Sequence, residues 1–339
     1  METEHNPELT GPEITSLWTH YQSESLNLRI NSYLLKHIEE VNSELKELFQ
    51  GATSQANKNL QEIKAIFERI GYPIPQGFTE QDVHLDTQKL FTDNFSLKFL
   101  HEMSIHGLSA YSIALTVSTR QDMRQFYQDK INFGIQLFNQ TIELLLAKGL
   151  YNRPPSLPIP VGIDFIKTAN FFDGFFQDKR ALNGSEISNI FFNLEKSIVT
   201  KALLIGFHQV VKSSEAKKIL ANGIKVKEKH IDTFSHILTT DNLPAPPILD
   251  AEVTSSTIPP FSDKLMMYMT GFLFNTAIAY YGAGMGTTMR SDLIVKYEQF
   301  ILEDLKFVEN WTDFMIKNQW LEQPPKAMDR KNLAEEKPR

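Results

Sequence analysis

His101, Glu102 and His106 form the grouping that most resembles a metal site in this chain. A helical zinc site of the protease type needs two histidines four residues apart, so that both rings leave one face. Here they are five apart, about 140° around a helix, and only Glu102 and His106 share a side. That side continues through Lys98 and Ser109, which reads as a solvated polar stripe. Glu228 and His230 stand two apart and point to nearly opposite sides of a helix, so they cannot chelate one ion together. His37 and His208 take matched places near the ends of two helices. Either could be a ligand, but no carboxylate pattern accompanies them, and they read as imidazolium groups at helix C-termini. Arg120 with Asp122, and Arg290 with Asp292, could hold an anion, yet at helix starts they read as structural anchors. Gly282, Gly284 and Gly286 do not lie between a strand and a helix, so they are no nucleotide loop; they suit close helix approach or a helix end. A di-metal carboxylate bundle needs Glu-x-x-His on two helices. That spacing occurs only at Glu2 and His5, in the polar N-terminus. These patterns assign no catalytic, cofactor-binding or metal-ligating residue.

The elements that would position such residues follow from composition and repetition. The 339 residues suffice for about two domains, and 42% are hydrophobic, enough for real cores. A net charge of −7 argues against nucleic-acid binding and gives no attraction to an anionic membrane. Cysteine is absent, which excludes disulfides and thiolate chemistry and fits a reducing cytoplasm. The first residues are polar and acidic, unlike a secretory signal, and the tail from Lys326 is highly charged.

The chain repeats itself. Leu9-Thr10-Gly11-Pro12-Glu13-Ile14 returns as Leu182-Asn183-Gly184-Ser185-Glu186-Ile187. Both are capping boxes, with Thr10 or Asn183 as the cap and a glutamate three residues on. His37 then pairs with His208, Pro73 with Pro244, Tyr111 with Tyr281, Arg120 with Arg290, and Tyr127 with Tyr297, all in order. Apolar spacing at threes and fours predicts four helices per copy: 12–40, 43–70, 92–116 and 119–149, then 185–212, 214–240, 263–286 and 289–319. The expected fold is all-α, two tandem ferritin-like four-helix bundles arising from internal duplication. The expected domains are 10–158 and 183–327, joined by a phenylalanine-rich segment at 159–182 and followed by a charged tail at 328–339. Phe165, Phe171, Phe172, Phe175 and Phe176 suggest a connection that packs along the bundles and fixes their relation.

The capped helix start, the Arg-x-Asp-[Met/Leu]-x3-Tyr start of each fourth helix, and the ending Trp320-Leu321-Glu322-Gln323-Pro324-Pro325 resemble the family known as domain of unknown function 3231, found mainly in endospore-forming bacteria. Copy one departs from the ending, with Leu150-Tyr151-Asn152-Arg153 before its prolines. The resemblance implies a ferritin-like fold similar to spore coat F proteins and a spore setting; it implies no activity and no catalytic residue. Leu265–Gly286 carries no charge, and Lys98, Glu102, His106 and Ser109 of copy one become Tyr268, Phe272, Thr276 and Ala279 there. A helix apolar all round is buried on every side or membranous. The flanks Lys264 and Arg290 give no orientation, so burial is favoured over a bilayer span. The leading expectation is a non-enzymatic protein acting by association with a protein partner or itself through the second bundle, in the cytoplasm or in spores. A metal or small-ligand binder with a nonstandard site is the second reading, and a membrane-associated protein the third.

Overall fold

Thr10 and Asn183 start the two copies as anticipated. Each side chain accepts the backbone N–H of the glutamate three residues on, and that glutamate accepts the cap's own N–H. In the computed structural model, which describes residues 8–175 and 179–335, the first copy comprises α1 (Gly11–His37), α2 (Ser43–Arg69), α3 (Asp93–Thr116) and α4 (Gln121–Ala147). The second comprises α5 (Gly184–Val210), α6 (Ser214–Thr240), α7 (Asp263–Thr287) and α8 (Ser291–Lys317). A short helix, α9 (Arg330–Glu335), follows. Short turns make hairpins of α1–α2, α3–α4, α5–α6 and α7–α8, and a long crossover joins the hairpins within each copy. The fold is all-α, two tandem four-helix bundles. Glu2 and His5 lie outside the described residues.

The crossovers tie the copies together. Val83 bridges Phe261, and Phe91 bridges Val253, both antiparallel. Exchanging the copies turns one bridge into the other, as a two-fold isologous interface would require. The Thr92 N–H donates to Glu252 O at 3.0 Å, and the Ser262 N–H donates to Asp82 O at 3.0 Å, again a symmetric pair. One apolar core is continuous across this junction, from Leu90, Phe91 and Phe95 to Leu203, Phe207 and Phe261. Gly206 makes room here: a Cβ on it would lie 2.5 Å from the Phe91 ring.

The uncharged stretch of α7, Leu265–Gly286, packs against the first copy through Tyr268 and Phe272. Tyr268 packs edge-on to Phe78 at 5.1 Å and its hydroxyl donates to Gln22 at 3.2 Å. Phe272 meets the His106 ring at 5.4 Å, while Ala279 remains exposed. No helix among the described residues is long and apolar enough to cross a membrane. Intramolecular burial is therefore what the apolar composition of α7 serves.

The connection between the copies departs from expectation. Phe165, Phe172 and Phe175 are exposed, and only Phe171 is half-buried, under the Arg180 guanidinium at 4.2 Å. Phe176 lies outside the described residues. The bundles meet directly through α3, α5, α7 and the crossovers, leaving the segment little apolar surface to cover.

Candidate functional site

Each bundle carries a polar centre built from one step of each helix. In the first, α1 supplies Glu24, α2 Asn59, α3 Tyr111 and α4 Lys130. Glu24 is buried and accepts the Tyr111 hydroxyl and, at 3.0 Å, the Asn59 amide. Gln55 donates to Asn59 at 2.7 Å. Lys130 turns away to pair with Glu62. Burial pushes the Glu24 carboxyl up to about 7, against the opposing pull of Asn59 and Lys130. Burial likewise pushes His20 down to about 4, so it is neutral beside Tyr111 and Tyr127, with ring centroids at 4.7 and 5.5 Å. A cavity of about 80 Å³ opens among these groups.

The second centre is filled. Lys227 of α6 places its ammonium 2.9 and 2.7 Å from the two oxygens of Asp304 on α8 and 3.9 Å from the centroid of Phe274. His230 reaches Glu303 with Nε2 at 3.1 Å and the Tyr281 hydroxyl with Nδ1 at 3.0 Å. Ser197 stands 3.1 Å from the same hydroxyl. Burial, reinforced by the Lys227 and Lys229 charges, holds His230 down to about 2, so the ring is neutral. Facing a carboxylate, Nε2 then carries the proton and Nδ1 accepts from Tyr281. Burial raises Asp304 to about 6 against the attraction of Lys227, and lowers Lys227. Among the described residues no three histidine, aspartate or glutamate side chains converge as a metal ion requires. The donor set of the second centre does not fit a di-metal site, because the Lys227 ammonium already neutralises the Asp304 carboxylate.

Between the bundles lies a buried polar seam, which corrects the reading of Glu102 and His106 as solvated. Lys196 of α5 donates to Glu102 at 2.6 Å, both side chains being buried. His106 Nδ1 lies 3.2 Å from the Tyr280 hydroxyl, and that hydroxyl donates to Ser109 at 3.2 Å. Lys98 approaches Glu195 at 3.9 Å. His101 points elsewhere, to Thr141 at 3.0 Å within its own bundle, as the five-residue spacing requires. The stripe is polar because it meets polar groups of α5 and α7.

The remaining candidates separate in the same manner. His230 faces the second centre, while Glu228 is exposed and lies 3.5 Å from Lys201, so the two diverge. His37 is the last residue of α1, but Val210, not His208, is the last of α5, and both helices have 27 residues. The two histidines are therefore not equivalent; the turn after each helix differs in length. Burial lowers both rings below their ordinary value, so they are neutral rather than imidazolium. Arg120 and Arg290 each grip the aspartate two residues on through Nε and Nη2, at 3.0 and 2.6 Å and at 3.1 and 2.8 Å. Glu13 accepts the N–H groups of Thr119 at 2.7 Å and Arg120 at 2.9 Å, and Glu186 repeats this with Met289 and Arg290. Burial would raise Glu13, but the donors of Arg120, Thr10 and Thr119 outweigh it and hold the carboxyl down to about 2. Of the three glycines, Gly284 alone permits close approach: a Cβ would meet the Tyr297 ring at 2.9 Å, whereas Gly282 and Gly286 face open space.

Sequence reasoning missed Glu24, Asn59, Lys130, Lys227 and Asp304. A signal existed. Leu220, Gly223, Lys227, Ile231 and Phe234 form one helical stripe, and Phe300, Asp304, Phe307 and Trp311 another, each broken by one charge.

The architecture defines a duplicated helical-bundle protein with two diverged polar centres and a buried seam. The chain belongs to the family described as protein of unknown function (DUF3231), whose model matches residues 1–161 and again 170–333. No curated protein matches it. A solved structure titled "putative spore coat protein" from Bacillus halodurans C-125 is similar at 18% identity, covering 45% of this chain and 98% of that one, with a TM-score of 0.42.

Proposed function

We propose that the protein is a non-enzymatic association module that pairs with a second copy of itself, in the endospore-forming setting the family resemblance implies. The apolar face of α7, which suggested association through the second bundle, is occupied within the chain. The reading rests instead on the segment between the copies. Leu157, Ile159, Val161, Ile163 and Phe165 alternate with Pro158, Pro160, Gly162 and Asp164. All five apolar side chains are exposed, Ile159 at 94% and Ile163 at 92%. Such alternation suits one apolar face of an added β-strand. In an extended segment the prolines would fall on one edge, which lacks their donors, while the apolar residues keep complete N–H and C=O pairs on the other. One strand can then add, and a proline-blocked edge stops further growth. Two straps pairing antiparallel about a two-fold axis satisfy this with a closed dimer.

Light scattering after size exclusion tests the reading. A concentration-dependent dimer is expected, and replacing Ile159, Val161 and Ile163 together by asparagine should return it to monomer with helical content intact. A wild-type chain that stays monomeric at high concentration, or a dimer indifferent to the triple replacement, contradicts it.

A further inference from the structure

The two bundle centres differ by a buried ion pair, and the difference leaves a space of definite chemistry. The duplication sets Ala56 where the second copy has Lys227, and Gly134 where it has Asp304; the paired helices are each 27 residues long and these residues occupy the same step. Deleting both side chains leaves the cavity of about 80 Å³, which Ala56 and Gly134 both line. In the second copy the Lys227–Asp304 pair fills this step, and the space left beside Lys227, Ser197 and Tyr281, about 10 Å³, is shared with His106 and Lys196 of the seam. Glu24 stands where the second copy has Ser197, so a carboxyl group faces the first cavity from α1 instead of α8. What the first centre lacks is an ammonium on α2; its lysine, Lys130, stands on α4 and pairs with Glu62.

Charge and shape agree. Lys130, which lines the cavity, is turned to Glu62, as is Lys58 at 3.8 Å, and among the described residues Glu24 makes no ion pair. His20 is buried behind Tyr111 and contributes no donor to the cavity. Asn59 and Tyr111 already hydrogen-bond Glu24 and hold it in place. Ala52, Ala56, Leu100 and Met103 supply an apolar wall. We propose that the first bundle binds a small primary alkylammonium, about the size of the lysine side chain, whose nitrogen takes beside Glu24 the part that Lys227 takes beside Asp304. A cationic guest gives Glu24 an ion-pair partner, and its chain replaces the missing lysine methylenes on the apolar wall. The guest is recognised as a cation with a short apolar tail, which distinguishes it from a neutral alcohol of the same shape.

Calorimetric titration of the full chain at pH 8 with n-butylammonium chloride, and with 1-butanol as its neutral isostere, tests this. Saturable binding of the ammonium is expected, with the alcohol at least about tenfold weaker, a difference of about 1.4 kcal/mol. Glu24→Gln should weaken ammonium binding by about tenfold or more. Ala56→Lys supplies a tethered ammonium and should abolish binding while circular dichroism shows the helices intact. No saturable binding by the folded wild type, equal binding of alcohol and ammonium, or binding retained in folded Ala56→Lys overturns the proposal. No residue of 157–165 lines this cavity, so monomer and dimer should give the same result.

Discussion

Burial raises Glu24 to about 7 while Asn59 and Tyr111 keep it in place, and this gives the folded state a pH dependence. A carboxyl group raised on folding holds its proton more tightly in the native chain than in the unfolded one. Its stabilising contribution is full below the unfolded value of 4.5 and is lost as pH rises through about 7. His20, His37, His101, His106, His208 and His230, all lowered by burial, act in the opposite sense as pH falls through the ordinary histidine value of 6.5. The Glu24 term is therefore read as the difference between wild type and Glu24→Gln, in which the histidine terms cancel. In denaturant titrations at pH 6.5 and 8, the change in stability on raising the pH should be about 1 kcal/mol less favourable for the wild type than for Glu24→Gln. An identical difference in wild type and Glu24→Gln would show that the carboxyl is already ionised at pH 6.5.

Helices α3 and α5 meet through Lys196 and Glu102, an ion pair with little water on either side. Lys196 also lies over the rings of Phe192 and Tyr280, at 4.5 and 4.8 Å. Removing one partner of such a pair strands a buried charge, whereas removing both leaves an apolar contact. Lys196→Met should destabilise the protein by about 3–5 kcal/mol, and adding Glu102→Leu should recover most of that loss. If the double variant in urea denaturation is as weak as the single one, the seam depends on shape rather than charge pairing. The same contact explains why α3 carries polar residues where α7 carries aromatic ones. Each helix offers its face to the other copy, and Phe272 meets His106 while Tyr280 meets Ser109 and His106.

At the scale of the whole molecule, a continuous core and paired crossovers join the two copies, so they should unfold together. Differential scanning calorimetry of the wild type is expected to give one transition with equal calorimetric and van't Hoff enthalpies. Phe272→Glu puts a carboxylate against His106 in the junction and forfeits about 1.5–3 kcal/mol of apolar burial. It should broaden or split that transition while leaving each bundle helical. Two separate transitions in the wild type would mean that the copies fold independently despite their shared core.

The duplication, the helix starts and the all-α fold were legible in the sequence because they rest on local rules. A capping box needs residues only three apart, and helical periodicity is read within a few turns. The ordered matches from Glu13 and Glu186 to Tyr127 and Tyr297 sufficed for the tandem architecture. Which face of a helix meets water is not local. Lys98, Glu102 and His106 have the pattern of a solvated stripe, and only the position of α5 and α7 makes them a buried seam. The His37 and His208 match failed because register within a helix counts from its cap, and the turns that follow differ in length. The phenylalanines between the copies were expected to be covered, yet the direct contact of α7 with the first bundle leaves Phe165 and Phe172 exposed. Most of all, Ala56 and Gly134 give no sign alone that they mark a cavity. A void is the joint property of four helices, and it became visible only when the packed second centre, with Lys227 against Asp304, could be set beside the first.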